Sequence, residues 1–293
     1  MYTIGTRGSD LALWQAHHVQ DRLKAAGIET EIKIIKTQGD QIQHLSFDKM
    51  EGKGFFTKEI EAALLDKSID IAVHSHKDLE TTMPEGLEIV AVGERAAPND
   101  VLLIRKSKYN LEGKWGLHED ALVGTSSARR SEQIKAALPK TTINMLRGNV
   151  PTRINKLREG QYDAILLARA GLDRLNLDVS DLELFDLDPR DFVSAPAQGA
   201  LAIQMRAGEN TEAVTKVLHH EHTAKNIHVE REILRGINGG CQVPFGAFCE
   251  WNEKSEQHEL SLFSMMDGKP FFAQHFSEST EKLIQLGLKD VAK

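Results

Sequence analysis

The chain has 293 residues, of which 41% are hydrophobic and 27% charged, and its formal net charge at pH 7 is −7. This composition is typical of a globular protein, and the length fits two or three domains. The acidic balance argues against a general nucleic-acid binder, and no apolar run approaches the ~18 residues that a membrane-spanning helix needs.

Cysteine usage and the N-terminal residues indicate a cytoplasmic protein. Cys241 and Cys249 are the only cysteines in the sequence and form no Cys-x-x-Cys motif, which argues against a disulfide framework or a structural zinc site. Such thiols fit a reducing compartment. Residues 1–7 enter a predicted strand directly, without the basic and apolar segments of a signal peptide.

The first elements predict an open α/β sheet. Alternating residues predict strands over 2–6 and 31–35, and apolar residues at helical spacing predict a helix over 11–26 between them. Since a β-α-β crossover joins parallel strands, their carboxyl ends share one edge, which is where such sheets bind ligands. Arg7 and Ser9 follow the first strand at this edge, where free helix N–H groups would help to bind a carboxylate or phosphate.

A second position on that edge is predicted after a buried strand over 70–74. Lys77 and Asp78 follow this strand, and they lie on the same edge as Arg7 if the sheet is parallel. An aspartate after a strand can also serve as a helix N-cap. From the residues alone, capping and a role in a site both remain open for Asp78.

Two glycine-bearing loops are predicted. The segment 38–56 is polar and includes Gly52-Lys53-Gly54, which falls far short of a nucleotide-binding P-loop. The segment 239–246 carries Cys241 just after two glycines, which permit a tight turn. A cysteine there is either presented to a ligand or packed as a small buried residue, and both hypotheses remain open.

The order of strand, polar residue and helix recurs in the second part of the chain. Strands are predicted over 101–105, 122–124, 141–146 and 163–168, and Ser126 or Ser127 is the predicted N-cap of a helix. Arginines follow these strands, so we expect basic side chains and helix N-termini on a common edge. These arginines are Arg129, Arg130, Arg147, Arg153 and Arg174.

The predicted domains follow from two crossings near 96–100 and 196–199. We expect domain 1 over 1–98 and 199–220, domain 2 over 99–198, and a cleft between them. Residues 221–293 form a third, α+β domain in this scheme. Its predicted elements are a helix over 224–237, antiparallel strands over 243–251, 259–266 and 270–276, and a helix over 279–292.

Six stretches, in the same order and spacing, resemble the hydroxymethylbilane synthase, or porphobilinogen deaminase, family. Each stretch alone is weak evidence, whereas six in register form a specific pattern that extends over nearly the whole chain. The stretches are 6–16, 52–56, 70–78, 123–130, 146–150 and 239–244.

The resemblance implies two periplasmic-binding-protein-like α/β domains with a cleft between them, plus a small C-terminal α+β domain with a three-stranded antiparallel sheet. It implies a transferase of tetrapyrrole and haem biosynthesis that joins four porphobilinogen molecules head to tail, releases ammonia, and hydrolyses the chain to hydroxymethylbilane. A dipyrromethane cofactor is held by a thioether, by resemblance to Cys241, and Cys249 is expected to be a core thiol. We expect a cytoplasmic monomer without metal, nucleic acid or membrane.

The same resemblance assigns the site residues. Asp78 matches the catalytic aspartate, which favours catalysis over capping. The residues assigned to cofactor binding are Cys241, Lys77, Ser127, Arg129, Arg130 and Gln198. The residues assigned to substrate binding are Arg7, Ser9, Lys53, Arg147, Arg153 and Arg174. Arginine forks suit this work because each pyrrole carries an acetate and a propionate.

Two other classes of function compete with this interpretation. A non-enzymatic two-domain receptor of periplasmic type could bind a small anion in the same cleft, although that gives no reason for the cysteine loop. A cysteine-nucleophile acyl transferase would need a histidine poised on Cys241. No partner motif stands out among the 12 histidines.

Overall fold

The computed structural model describes residues 1–37, 57–237, 239 and 243–291. They divide into two compact units, Met1–Ala96 with Ala200–Lys225, and Ala97–Gly199 with Asn226–Lys293. We call these unit 1 and unit 2. No helix in the described ranges combines the length and the apolar character that crossing a membrane requires.

Strands and helices are mixed along the whole of the described chain. In chain order they are β1 (Tyr2–Thr6), α1 (Asp10–Ala25), β2 (Thr30–Ile34), α2 (Lys58–Leu65), β3 (Ile71–Ser75), β4 (Leu87–Val92), β5 (Asp100–Arg105), β6 (Leu122–Gly124), α3 (Ala128–Ala137), β7 (Thr142–Asn144), α4 (Val150–Arg158), β8 (Ala164–Ala168), α5 (Arg169–Arg174), β9 (Leu182–Asp186), β10 (Leu201–Arg206), α6 (Glu212–Leu218), α7 (Glu221–Gly236), β11 (Gly246–Asn252), β12 (Gln257–Met266), β13 (Lys269–Ser277) and α8 (Thr280–Val291). Short 3-10 segments lie at His76–Asp78, Lys106–Lys108 and Lys114–Gly116.

Unit 1 is a five-stranded sheet with helices on both faces. Its strand order is β2-β1-β3-β10-β4, in which β1 runs parallel to β2 and β3, and β10 runs antiparallel to β3 and β4. Ile4, Leu23 and Val73 belong to the core that α1 covers. Ile60 and Leu64 of α2 pack on the other face with Ala72. Burial on both faces explains why β3 is a nearly continuous apolar run.

Unit 2 contains a second sheet of the same form. The order is β7-β6-β8-β5-β9, with β6 parallel to β7 and β8, and with β5 antiparallel to β8 and β9. Alternate residues of β5 fill two separate cores, since Leu102 and Ile104 pack on one face and Val101 and Leu103 on the other. The predicted β-α-β pattern is therefore confirmed for both sheets.

The C-terminal part of unit 2 is an antiparallel sheet in the order β11-β12-β13, covered by helices. Val229 and Ile233 of α7 and Leu283 of α8 pack with Leu262 against it. The expected three-stranded sheet and closing helix are thus confirmed. The sequence patterns did not predict β9 and α6, which extend the two α/β parts.

A buried carboxylate ties this small sheet to the segment that follows β9. Glu230 of α7 is fully buried, and its two oxygens accept hydrogen bonds from the Ala197 amide at 2.6 Å and the Cys249 amide at 2.8 Å. Ala197 has φ 62°, a left-handed conformation that costs a residue with a Cβ of order 1 kcal/mol. The charge-assisted hydrogen bond to Glu230 helps to hold it there.

We expect His74 to make the stability of unit 1 depend on pH. His74 is buried on β3 with its ring Nε2 3.0 Å from Gln204 Oε1, and burial lowers its pKa to about 4. The unfolded chain binds this proton near pH 6.5 and the folded chain only near pH 4, so stability falls as pH drops between these values. The loss reaches about 3 kcal/mol when the whole window is crossed.

The free energy of unfolding, measured with urea at pH 7.5 and at pH 5, tests whether His74 causes this pH dependence. The variant His74→Gln is expected to be less stable than the parent at pH 7.5 but to lose less stability between the two values. His17→Gln, which changes an exposed histidine of α1, is the control and should retain the parental slope. An unchanged slope in His74→Gln would remove His74 as the cause.

Candidate active site

The edge of the unit 1 sheet carries four of the predicted site residues. The carboxyl ends of β1, β3 and β4 lie on the same edge as the start of β10, because these three strands are parallel and β10 opposes them. Arg7 and Ser9 follow β1, and Lys77 and Asp78 follow β3. Ser9 is the N-cap of α1, and its Oγ accepts a hydrogen bond from the Ala12 amide at 3.4 Å.

Asp78 ends the 3-10 segment that follows β3 and does not begin a helix. Ser75 holds the N-cap position of that segment, and the next regular element is a strand. The capping hypothesis for Asp78 is therefore wrong. Its side chain is exposed, and no hydrogen bond or ion pair from another described residue engages the carboxylate. An open carboxylate on a ligand-binding edge can act on a bound cation or exchange protons with it.

The edge of the unit 2 sheet carries the arginines. The strands β6, β7 and β8 end there, and β5 begins there. Ser127 follows β6 as the N-cap of α3, and its Oγ accepts from the Arg130 amide at 3.4 Å. Asn149 caps α4 after β7 in the same way, accepting from the Thr152 amide at 2.9 Å. The predicted basic edge with helix N-termini is present.

Arg129, Arg130 and Gln198 converge on a residue that the sequence patterns did not identify. Asp100, the first residue of β5, is fully buried. Its Oδ2 accepts from Arg129 Nη1 at 2.7 Å, and its Oδ1 accepts from Arg130 Nη2 at 2.7 Å and Nε at 3.1 Å. Gln198 Nε2 donates to the same Oδ1 at 2.9 Å and to the Pro98 carbonyl at 2.8 Å.

The electrostatics of this cluster leave one positive charge in excess. Burial raises the pKa of the Asp100 carboxyl, but the two guanidinium charges and their hydrogen bonds outweigh it and hold the pKa below its ordinary value. Burial lowers the pKa of Arg129, and the Asp100 charge opposes this. In the described part of the chain, two buried guanidinium groups thus share one carboxylate. A buried charge is costly unless it is paired, so the cluster suits an additional anionic group.

The remaining arginines lie on the same edge outside this cluster. Arg153 Nε donates to the Gly148 carbonyl at 2.7 Å, and Arg147 Nε lies 3.1 Å from the Met145 sulfur. Arg174 Nη2 donates to the Gly199 carbonyl at 2.7 Å. Burial lowers the pKa of Arg174 to about 10, so the group stays cationic at neutral pH. These side chains are partly exposed.

Of the two cysteines, the structure describes Cys249. Cys249 lies on β11 outside any disulfide and has no exposed surface, which confirms the expected core cysteine. Cys241 and Lys53 lie outside the described residues. Among the residues that the structure does describe, no cluster of His, Cys, Asp and Glu side chains could hold a metal ion.

Two family models match consecutive parts of the chain. The model described as "Porphobilinogen deaminase, dipyromethane cofactor binding domain" matches residues 2–214, and "Porphobilinogen deaminase, C-terminal domain" matches residues 224–289. The residues fit such a cofactor, because the buried excess charge at Asp100 and the cationic edge around it are complementary to a carboxylate-bearing pyrrole.

Curated relatives and solved structures are also similar. The chain is 47% identical to porphobilinogen deaminase of Maridesulfovibrio salexigens (89% of this chain, 83% of the relative) and 48% identical to that of Oceanobacillus iheyensis (98% and 95%). A solved ancestral cationic amino acid solute binding protein shares 13% identity with a TM-score of 0.44, covering 79% of this chain and 93% of its own. The probable amino-acid ABC transporter extracellular-binding protein ytmK of Bacillus subtilis shares 13% identity with a TM-score of 0.43. The match covers 74% of this chain and 89% of ytmK.

The non-enzymatic receptor hypothesis has only this remote likeness of fold behind it. The family models, by contrast, cover almost the whole chain, and the relatives align along most of their own length. The chain therefore belongs to the porphobilinogen deaminase family, a family of enzymes with a dipyrromethane cofactor.

Proposed function

We propose that this protein joins four porphobilinogen molecules head to tail, releases ammonia at each step, and hydrolyses the chain to hydroxymethylbilane. Membership of the family supports the reaction. The observation in the molecule that carries the proposal is the buried cluster of Asp100, Arg129 and Arg130, whose excess positive charge suits the carboxylates that a pyrrole chain presents.

The cofactor residues are proposed from their match to the family and their chemistry. When bound, dipyrromethane supplies a primer with a free pyrrole carbon to which the first substrate unit is joined. Cys241 would hold it by a thioether. The carboxylates of the cofactor would be bound by Lys77, Ser127, Arg129, Arg130 and Gln198. Arginine forks bind carboxylates in two parallel hydrogen bonds, which fixes orientation as well as position.

The substrate residues are proposed on the same grounds. The acetate and propionate of porphobilinogen would be bound by Arg7, Ser9, Lys53, Arg147, Arg153 and Arg174. The N-cap role of Ser9 uses its oxygen as an acceptor and leaves its hydroxyl hydrogen free to donate. A hydroxyl beside a helix N-terminus is suited to an anion.

Asp78 is the proposed catalytic residue. Loss of ammonia from porphobilinogen leaves a delocalised cation, and a fixed carboxylate close to the pyrrole N–H stabilises that cation. The interaction is stronger in a partly dry site than in water. In its protonated form the same carboxyl group can pass a proton to the leaving amine, and as the carboxylate it can remove the proton from the ring carbon.

We further propose a three-domain organisation, with domains over 1–98 and 199–220, over 99–198, and over 221–293. The separate hydrophobic cores of the second α/β sheet and the C-terminal sheet support the last boundary. The protein is proposed to act as a cytoplasmic monomer without nucleic acid. Its net charge of −7 and the reduced state of Cys249 are compatible with this.

The mass of the intact protein tests the cofactor proposal. We expect the purified chain to be heavier than its sequence by one dipyrromethane, and Cys241→Ser to lack that mass because the oxygen does not form the thioether. Cys249→Ala is the matched control and should retain the added mass. An unmodified mass in protein that releases ammonia from porphobilinogen would exclude the covalent cofactor.

Turnover of an Asp78 variant tests the catalytic proposal. Asp78→Asn keeps the size of the side chain and removes its charge. We expect the cofactor mass to be retained and the turnover rate to fall on the order of 100-fold or more, the range for loss of an acid–base or charge-stabilising group. Asp21→Asn, which neutralises an exposed aspartate of α1, should leave the rate unchanged. Near-normal turnover of Asp78→Asn would assign the chemistry to another group.

A further inference from the structure

We propose that Asp100 is a positioning residue for the anion site of unit 2: it orients Arg129 and Arg130 and limits their excess positive charge to one, so that one acidic group of a bound ligand completes the cluster. This rests on the proposed function, which supplies a ligand rich in carboxylates. Asp100 does not itself contact the reacting atoms in this scheme. It acts through the two arginines.

The two arginines are held in different ways. Arg130 donates through Nε and Nη2 to Asp100 and through Nη1 to the Leu166 carbonyl at 3.3 Å, so all three of its nitrogens are engaged within the protein. Arg129 donates through Nη1 alone, to Asp100 at 2.7 Å and to the Val193 carbonyl at 2.6 Å. Its Nε and Nη2 form no hydrogen bond with any described residue. Arg129 therefore retains donors for a ligand carboxylate.

Asp100 is held from several directions, which makes it a rigid reference point. Gln198 is the third side chain that donates to its carboxylate, at 2.9 Å. The Asp100 carbonyl accepts from the Leu187 amide at 3.0 Å, and β5 pairs with β8 through Asp100 and Ala168. Gln133 fixes the second acceptor of Arg129, since its Oε1 accepts from the Val193 amide at 2.7 Å and its Nε2 donates to the Val193 carbonyl at 2.9 Å. Such support is what a binding group needs to be held in a productive orientation.

Charge and orientation make opposite predictions for the loss of the carboxylate. In Asp100→Asn the cluster carries two uncompensated positive charges, and electrostatic attraction alone would bind an acidic ligand more tightly. The amide would also direct N–H donors or a weaker acceptor toward two guanidinium groups, which would release Arg129 from its position. If Asp100 positions the arginines, loss of orientation dominates and the ligand is bound less well.

The first test measures cofactor loading by intact mass in Asp100→Asn and in a control, Asp163→Asn. Asp163 is a partly buried aspartate of unit 2 that pairs with Arg105 and Lys108 away from the arginine edge. We expect the loaded fraction of Asp100→Asn to fall at least two-fold and that of Asp163→Asn to stay at the parental value. Parental or higher loading in Asp100→Asn would overturn the positioning role.

The second test restores the charge with Asp100→Asn/Arg130→Gln, which returns the excess to one. A purely structural role predicts that the double variant is worse than the single one, because it also loses the hydrogen bond to Leu166. Charge limitation predicts a higher melting temperature in the double variant than in Asp100→Asn, because the double variant buries one uncompensated positive charge fewer. If Asp100→Asn aggregates, recovery of soluble double variant supports the proposal, and equal aggregation of the two variants overturns it.

The two proposals fail separately. Parental protein without the dipyrromethane mass would contradict the proposed function. Parental protein with that mass, together with Asp100→Asn that loads normally, would overturn only the role of Asp100.

Discussion

A single buried carboxylate organises the ligand-binding edge of unit 2. Asp100 receives hydrogen bonds from Arg129, Arg130 and Gln198, which come from the start of α3 and from the segment that follows β9. Burying an unpaired charge costs several kcal/mol, so these segments cannot separate from β5 without exposing or orphaning one of the charges. The same pairing leaves one guanidinium charge uncompensated. The same carboxylate thus both holds these segments to β5 and sets the charge that the edge would offer to an anion.

Each unit reaches a ligand-binding edge by the same strand arrangement. In each sheet four strands run in one direction and a fifth opposes them, β10 in unit 1 and β5 in unit 2, so the carboxyl ends of the four share an edge with the start of the fifth. Helix N-termini follow these strand ends, and Ser9 and Ser127 cap two of them. The chemistry differs between the units, since unit 1 presents the open carboxylate of Asp78 and unit 2 presents arginines. This difference accords with the proposal that unit 1 supplies the catalytic group and unit 2 binds acidic groups of the ligand.

Local patterns in the sequence predicted most elements because strands and helices differ in the period of their apolar residues. They also predicted the two edges, since parallel strands end on one side. They did not predict Asp100, whose partners Arg129 and Gln198 lie far along the chain and are brought to it only by the fold. The edge strand β9 was missed because only one of its residues is buried. Capping and catalysis by Asp78 could not be separated locally, because both place an aspartate directly after a strand.

The most direct test of the account is the ratio of ammonia released to hydroxymethylbilane formed when the cofactor-loaded protein is incubated with porphobilinogen. A protein that joins four substrate units and then hydrolyses the chain releases four molecules of ammonia for each product molecule. We expect a ratio of four ammonia molecules to one hydroxymethylbilane throughout the steady state. Saturable binding of porphobilinogen without release of ammonia would contradict the account and return the chain to the class of anion receptors.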